Sequence, residues 1–311
     1  RILASVARGE VERKGTRQKR ANLQRAQRGE VGWPRRPFGY DRRDGRVVEL
    51  IDDPYSDRIR CDHPELSDGD GLADALIAAA DDLGRGRVVA LVDSRLGDQL
   101  ESDGFEVEAV MPGFYEGARD CVVVGASQSP HRMRPADAAM ALRTEEVLAD
   151  KLGTPGLHVA IETERATIAD AEAIALLLDE TFQEYPTPTG DAAYIEKQLH
   201  EGSVFRVYRD DDEIVACASA DLIPAALTAE LTDCATRPDH RGNGYMRAIL
   251  LDLMDDLTAM DYPTAFTLAR ACIPGVNVAF QRCGFELRGR MVRSCRIGTG
   301  LEDMNVWSRH L

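Results

Sequence analysis

Long hydrophobic runs are missing from this 311-residue sequence. No stretch of about 18 consecutive apolar residues occurs, so no transmembrane helix and no membrane partner are expected. The N-terminus is charged throughout and lacks an apolar signal core, from which a cytoplasmic location is expected. Cys-x-x-Cys spacing is absent as well. The seven cysteines (Cys61, Cys121, Cys217, Cys234, Cys272, Cys283 and Cys295) form an odd set without zinc-type partners nearby. They read as small buried residues of a reduced protein, and no metal is expected. Two phosphate-binding signatures are also lacking. There is no Gly-x-x-x-x-Gly-Lys loop, and the one candidate for Gly-x-Gly-x-x-Gly fails because residue 247 is Arg.

Positive charge is scarce everywhere except at one end. Residues 1–46 hold 14 of the 38 Lys and Arg and 5 of the 53 Asp and Glu, a net of +9. The remainder of the chain carries −24. An acidic body repels nucleic acid and favours solubility, so nucleic acid is not an expected partner except through residues 1–46. Length and composition suit one large or two moderate globular domains.

Four regions follow from the patterning: a basic helical segment over 1–46, a small α/β domain over 47–135, a helical linker over 136–156, and a denser unit over 157–311. In the second region "GLADALIAAADDL" (71–83) reads as a helix and "RVVALVD" (87–93) as a buried strand. "SRLGDQLESD" (94–103) reads as a short helix, with "GFEVEAVM" and "RDCVVVGA" as strands. In the fourth, Ile168, Ala171, Ile174, Ala175, Leu178 and Phe182 fall on one helical stripe. "SVFRVYRDDDEIVACASADL" reads as a hairpin, "ALTAELTDCATR" (226–237) as a strand, and Met246, Ile249, Leu250, Leu253, Met254 and Leu257 as a second stripe. "LGDQLESDGFEVEAVM" (96–111) and "VAFQRCGFELRGRM" (278–291) share a layout of short helix, Gly-Phe-Glu and strand. Decayed duplication and chance both account for that echo.

Chemistry concentrates at "RPDHRGNGYMRAIL" (237–250). A strand, then Arg241-Gly242-Asn243-Gly244, then an amphipathic helix places two flexible glycines before free helical N–H groups. Those groups and the helix dipole suit phosphate oxygens, although a glycine turn can also be plain architecture.

"ATRPDHRGNGYMRAILLDLM" and, downstream, "NVAFQRCGFE" resemble the two signatures of the GNAT family of N-acetyltransferases, in the right order. The resemblance covers residues 157–311, and through "GFEVEAVMPGFYEGARDCVVVG" it reaches back to about residue 47. It implies a mixed, largely antiparallel central sheet flanked by helices, preceded by a smaller N-terminal α/β domain. It also implies acetyl-CoA as co-substrate and a small-molecule amine as acceptor, by likeness to members that acetylate the ε-amine of a diamino acid. Another small amine, a protein lysine, or non-catalytic acetyl-CoA binding with DNA association are the alternatives. On this reading Cys234, Ala235, Thr236, Arg241, Gly242, Asn243, Gly244, Tyr245, Met246, Asn277 and Phe280 contact the cofactor. Met246 stands where Gly or Ala is usual. Facing the core, it would leave the N–H groups free.

A lysine-like amine is mostly protonated near neutral pH, so direct attack needs a base. Glu230 and Asp233 are the candidates on the strand before the glycine turn. Their odd spacing places them on opposite faces, and Glu230 is preferred. The position that usually carries a Tyr to protonate the thiolate is Phe280. Tyr245 and Cys283 are the substitutes available. Arg270 and Arg296 are candidates for the acceptor's carboxylate, and Tyr185 and Asn305 for lining its pocket. Residues 1–40 resemble the segment of a serine site-specific recombinase that joins its catalytic and DNA-binding parts. That likeness implies a fusion remnant.

Overall fold

The computed structural model describes residues 2–3, 36–41, 47–64, 69–127, 129–152, 161–182, 187–298 and 300–311. Tyr185 and most of the basic helix expected over residues 1–30 lie outside them. The first half runs β1 (Ile2–Leu3), β2 (Arg36–Asp41), β3 (Val47–Asp53), β4 (Arg58–Asp62), α1 (Leu72–Leu83), β5 (Arg87–Asp93), α2 (Ser94–Ser102), β6 (Glu106–Tyr115) and β7 (Arg119–Ala126). Helix α3 (Ala138–Lys151) crosses to the second half. There follow β8 (Glu164–Arg165), α4 (Ala171–Thr181), α5 (Ala192–Glu201), β9 (Val204–Asp210), β10 (Glu213–Ile223), β11 (Thr228–Thr236) and α6 (Tyr245–Ala259). The chain closes with β12 (Thr264–Arg270), α7 (Pro274–Arg282), β13 (Glu286–Ile297) and β14 (Gly300–His310).

The described strands form one sheet in the order β1-β2-β3-β4-β5-β7-β6-β13-β14-β12-β11-β10-β9-β8. Read from the β6–β13 junction outward, the two directions repeat each other. A hairpin (β6–β7 or β13–β14) leads to a strand, then to its parallel partner across a helix crossover, then to an antiparallel meander. The N-terminal region therefore repeats the C-terminal strand pattern within the same sheet. This topology favours duplication over chance as the source of the Gly-Phe-Glu echo.

The pairing registers fix which residues correspond. Arg58 opens the parallel pair opposite Arg87, as Thr228 does opposite Thr264, so Arg60 corresponds to Glu230. Met111 faces Cys121 as Met291 faces Met304. At the junction Ala109 pairs with Gly289, its own counterpart, as expected where two related surfaces meet about a two-fold. A Cβ on Gly289 would sit 2.0 Å from the Glu108 carbonyl oxygen, and its φ is +153°. Only glycine lets the copies approach that closely.

Each copy covers one sheet face with helices. Leu72, Ala75, Leu76 and Ala79 of α1 pack on Ile59 and Cys61, and Ile249, Leu250, Leu253 and Leu257 of α6 pack on Ala229 and Leu231. The other faces meet in a shared cluster that joins Val89, Leu91 and Phe114 to Phe266, Met291 and Val306. α3 behaves as part of the second core, since Leu148 is buried there and its carbonyl accepts from Gln281 Nε2 at 3.1 Å.

Candidate active site

Between the copies and the second helix layer, β11 and β12 run parallel for only three pairs, from Thr228–Thr264 to Glu230–Phe266. Beyond Glu230, β11 continues to Thr236 and β12 to Arg270 with no pairing between them. The seam opens into a wedge whose β11 edge offers backbone groups to a ligand. A bulge deepens it. Cys217 pairs with Ala235 and Ser219 with Thr232, so β11 holds one residue more than β10, and Asp233 takes φ +52°.

The bulge corrects the expectation that Glu230 and Asp233 face opposite ways. It resets the alternation: Ala229 and Leu231 join the α6 core, whereas Ala235 joins the core under α4 and α5. Asp233, 6% exposed, accepts from Ser219 Oγ at 3.2 Å. Ser219 shares its face with Asp221, two residues on, and Asp221 is the direct cross-strand partner of Glu230. Three carboxylates thus sit on one face at the mouth of the wedge. Asp221 and Glu230 are two acids placed directly opposite on neighbouring strands, an arrangement that is destabilising when both are charged. Burial pushes the Asp221 carboxyl above its usual range, and Ser203 Oγ donates to it at 2.9 Å. Asp221 and Ser219 escaped the sequence reading. An acid in mid-strand opposite another acid was the available signal.

At the outer end of β11 the glycine turn has the conformation its sequence demands. Gly242 and Gly244 have φ +84° and +91°, values that side chains rarely tolerate. Gly244 caps α6 with no side-chain hydrogen bond, and no acid stands in the first turn. The first intrahelical bond runs from the Ala248 N–H, so the N–H groups before it remain for an anion. Arg241 is exposed beside them and donates from Nε to the Thr236 carbonyl at 3.1 Å, and Asn243 braces the His240 carbonyl. Tyr245 stacks on Tyr208 with ring centres 3.9 Å apart. Met246 lies half-buried against the α6 core, on the stripe its spacing implied.

Residues 171–285 match the model of the Acetyltransferase (GNAT) family. This segment is similar to a GNAT domain. Over 146 residues the chain is 40% identical to beta-lysine N(6)-acetyltransferase of Methanosarcina mazei, a match covering 47% of the chain and 54% of that protein. It thus spans about half the length of that relative. N-acetyltransferase YodP of Bacillus subtilis is 28% identical over 269 residues, 86% of this chain and 97% of the relative. A solved phosphinothricin acetyltransferase of Sinorhizobium meliloti, in complex with AcCoA, superposes with a TM-score of 0.44 and 20% identity. It covers 49% of this chain and 89% of its own.

Several residues expected to touch ligands lie inside the core of the C-terminal copy instead. Asn277 is fully buried. Its Nδ2 donates to the Arg270 and Ile273 carbonyls, and its Oδ1 accepts from Asn305 and Trp307, each near 2.9 Å. It locks the α7 entry to β14, which is the local-backbone role and not a cofactor contact. Asn305, equally buried, is spent on Asn277 and on Arg290, so it does not line a pocket. Phe280, 1% exposed, packs edge-on against Phe285. Cys283 is buried too, and burial raises its thiol to about 12, a poor acid toward a departing thiolate. Cys234 is half-buried on the α6 side, and Ala235 is buried on the opposite face.

The carboxylate anchors are also engaged. Arg270 is held in a fork by Glu302, with Nε at 2.6 Å from Oε2. Arg296 donates to the Tyr55 carbonyl at 2.8 Å and lies over the Tyr55 ring, binding the two copies together.

Proposed function

We propose that the protein transfers an acetyl group from acetyl-CoA to the ε-amino group of beta-lysine, giving N6-acetyl-beta-lysine. The observation that carries this reading is the wedge between β11 and β12, with the paired carboxylates Asp221 and Glu230 at its mouth and the uncapped N-terminus of α6 at its outer end. The names of the two beta-lysine acetyltransferases this chain resembles support the choice of acceptor.

Acetyl-CoA supplies the acyl thioester. Gly242, Gly244 and the first turn of α6 receive its phosphates, with Arg241 beside them, and the unpaired edge of β11 lies along the wedge. The acceptor's ammonium enters among Asp221, Glu230 and Asp233. Glu230, half-buried where β11 parts from β12, takes the proton. The freed amine attacks the thioester carbonyl. Backbone N–H groups of the bulged segment after Asp233 are the donors for the developing oxyanion. Tyr245 is the side chain that can return a proton to the thiolate, because Phe280 and Cys283 are buried. The product loses one positive charge and keeps its zwitterionic end, as suits a compatible solute in a reduced, acidic-protein interior.

Acetyl-CoA consumption measured with beta-lysine, α-lysine and a lysine peptide tests the reading. Turnover is expected with beta-lysine first. Turnover of the peptide without beta-lysine would overturn it.

A further inference from the structure

The face that carries Glu230 is covered by the N-terminal copy. Strand β4 turns Ile59 and Cys61 toward α1, so Arg58, Arg60 and Asp62 point toward the second copy. Arg58 is consumed there: it donates to Asp53 and to the Ser294 hydroxyl and carbonyl. Arg60 is different. Its Nη2 lies 2.8 Å from Asp62 Oδ2 and its Nε donates to the same carboxylate, while Nη1 has no acceptor among the described residues. Its side chain is 12% exposed, and the charge of Glu230 acts on it directly.

Val89, the cross-strand partner of Arg60, and Phe266, the cross-strand partner of Glu230, lie in one shared cluster, so a cationic group and a carboxylate stand at corresponding positions on the two sides of the same interface. An amino acid with a distal amine has the complementary order of charge. Its ammonium belongs at Glu230 and its carboxylate at the guanidinium opposite. Of the other arginines, Arg58 is spent on Asp53 and Ser294, Arg270 is held in a fork by Glu302, and Arg296 is held by the Tyr55 carbonyl and ring.

We propose that Arg60, supplied by the N-terminal copy, binds the carboxylate of the acceptor and makes the enzyme select an amino acid over a plain diamine. Asp62 holds the guanidinium in place without satisfying all of its donors. The proposal rests on the acetyltransferase reading above and adds a specificity role for a half of the chain outside the family match.

The test compares two acceptors, beta-lysine and 1,4-diaminopentane, which is the same carbon chain without its carboxylate. The ratio of their kcat/KM values is measured for the wild type, Arg60→Gln and Arg60→Lys, with acetyl-CoA binding by calorimetry as the check on folding. The wild type is expected to favour beta-lysine. Arg60→Gln should lower the ratio about 10- to 100-fold, mainly through the KM for beta-lysine, and Arg60→Lys should restore part of it. An unchanged ratio, whether both rates fall together or neither moves, would overturn the proposal and leave the acetyltransferase reading intact. No turnover of either acceptor by the wild type would overturn that reading itself, and the role of Arg60 with it.

Discussion

In the N-terminal copy the parallel pair β4–β5 stays zipped through five residues, Arg58 to Asp62, and the bond from the His63 N–H to the Leu91 carbonyl extends the seam further. In the C-terminal copy β11 and β12 part after three. The glycine turns diverge in the same sense. Gly69-Asp70-Gly71 precedes α1 as Gly242-Asn243-Gly244 precedes α6, and Gly71 and Gly244 both cap their helices at positive φ. Yet Asp74 occupies the first turn of α1 where α6 has Arg247, and Gln99 Nε2 reaches the Gly69 carbonyl at 2.8 Å. A cleft of about 790 Å³ beside α1 carries Asp70, Asp74, Asp81, Asp103 and Glu106 on its walls. Acids there repel phosphate, whereas a bare helix N-terminus attracts it. One topology therefore opens a wedge only where the strand pairing is broken. The charge pattern inverts as well. Asp93 pairs with Arg119 in the first copy where Arg270 pairs with Glu302 in the second, and Arg60 stands for Glu230.

The largest expected effect removes Glu230, the proposed base. Glu230→Gln should cut kcat about 10²- to 10⁴-fold at neutral pH. The loss should shrink as pH rises toward the amine's own pKa, because free amine then needs no base. Steady-state rates from pH 7 to 10 check this, and a pH-independent deficit would point to a binding role instead. Next comes the join between the copies. Gly289→Ala forces a methyl into the Glu108 carbonyl, so it should destabilise the fold by about 3 kcal/mol, visible in urea unfolding. An unperturbed midpoint would mean that the two halves do not depend on this contact.

A third measurement sets equivalent glycines against each other. Both Gly71 and Gly244 hold a left-handed conformation, so alanine at either should cost about 1 to 2 kcal/mol of stability. Only Gly244→Ala should also weaken acetyl-CoA binding, by roughly tenfold, because only that turn is read as a phosphate site. Calorimetry of the wild type should give one acetyl-CoA per chain. Two sites, or a binding defect in Gly71→Ala, would show that the N-terminal copy retains a cradle.

Much of this arrangement was legible from residues alone, and what was not has physical causes. The stripes of α1 and α6, the buried strand at 87–93 and the glycine turn were readable because periodicity and φ requirements are local. Strands β3 and β4 were missed because Asp53, Arg58, Arg60 and Asp62 interrupt the apolar alternation. Those charges are buried or half-buried against one another, and Arg58 also against Ser294 far along the chain, a contact that local patterning does not reveal. The shared face of Glu230 and Asp233 was hidden for another reason. An inference from spacing assumes an unbroken two-residue period, and a bulge cancels it. The stripe from Ile168 to Phe182 also overruns the helix: α4 ends at Thr181, and Ile168 stays exposed in the turn before it.

The smallest effect concerns Met246, which corresponds to Ala73 in the N-terminal copy when the glycine turns are aligned. Both residues pack against the helix-side core of their own copy, and both are half-buried. The larger side chain fills space beside Tyr245 and Leu250; its backbone N–H is one of the groups left for the cofactor. Met246→Ala therefore gives the C-terminal copy the residue of the N-terminal one without touching those N–H groups. Stability should fall by about 1 kcal/mol, less than for a fully buried methionine. The KM for acetyl-CoA should stay within about twofold, because a side chain turned to the core is not among the groups that hold the phosphates. A large drop in KM would mean that Met246 narrows the cleft, and that the two copies differ at this position in how they meet a ligand as well as in how they pack.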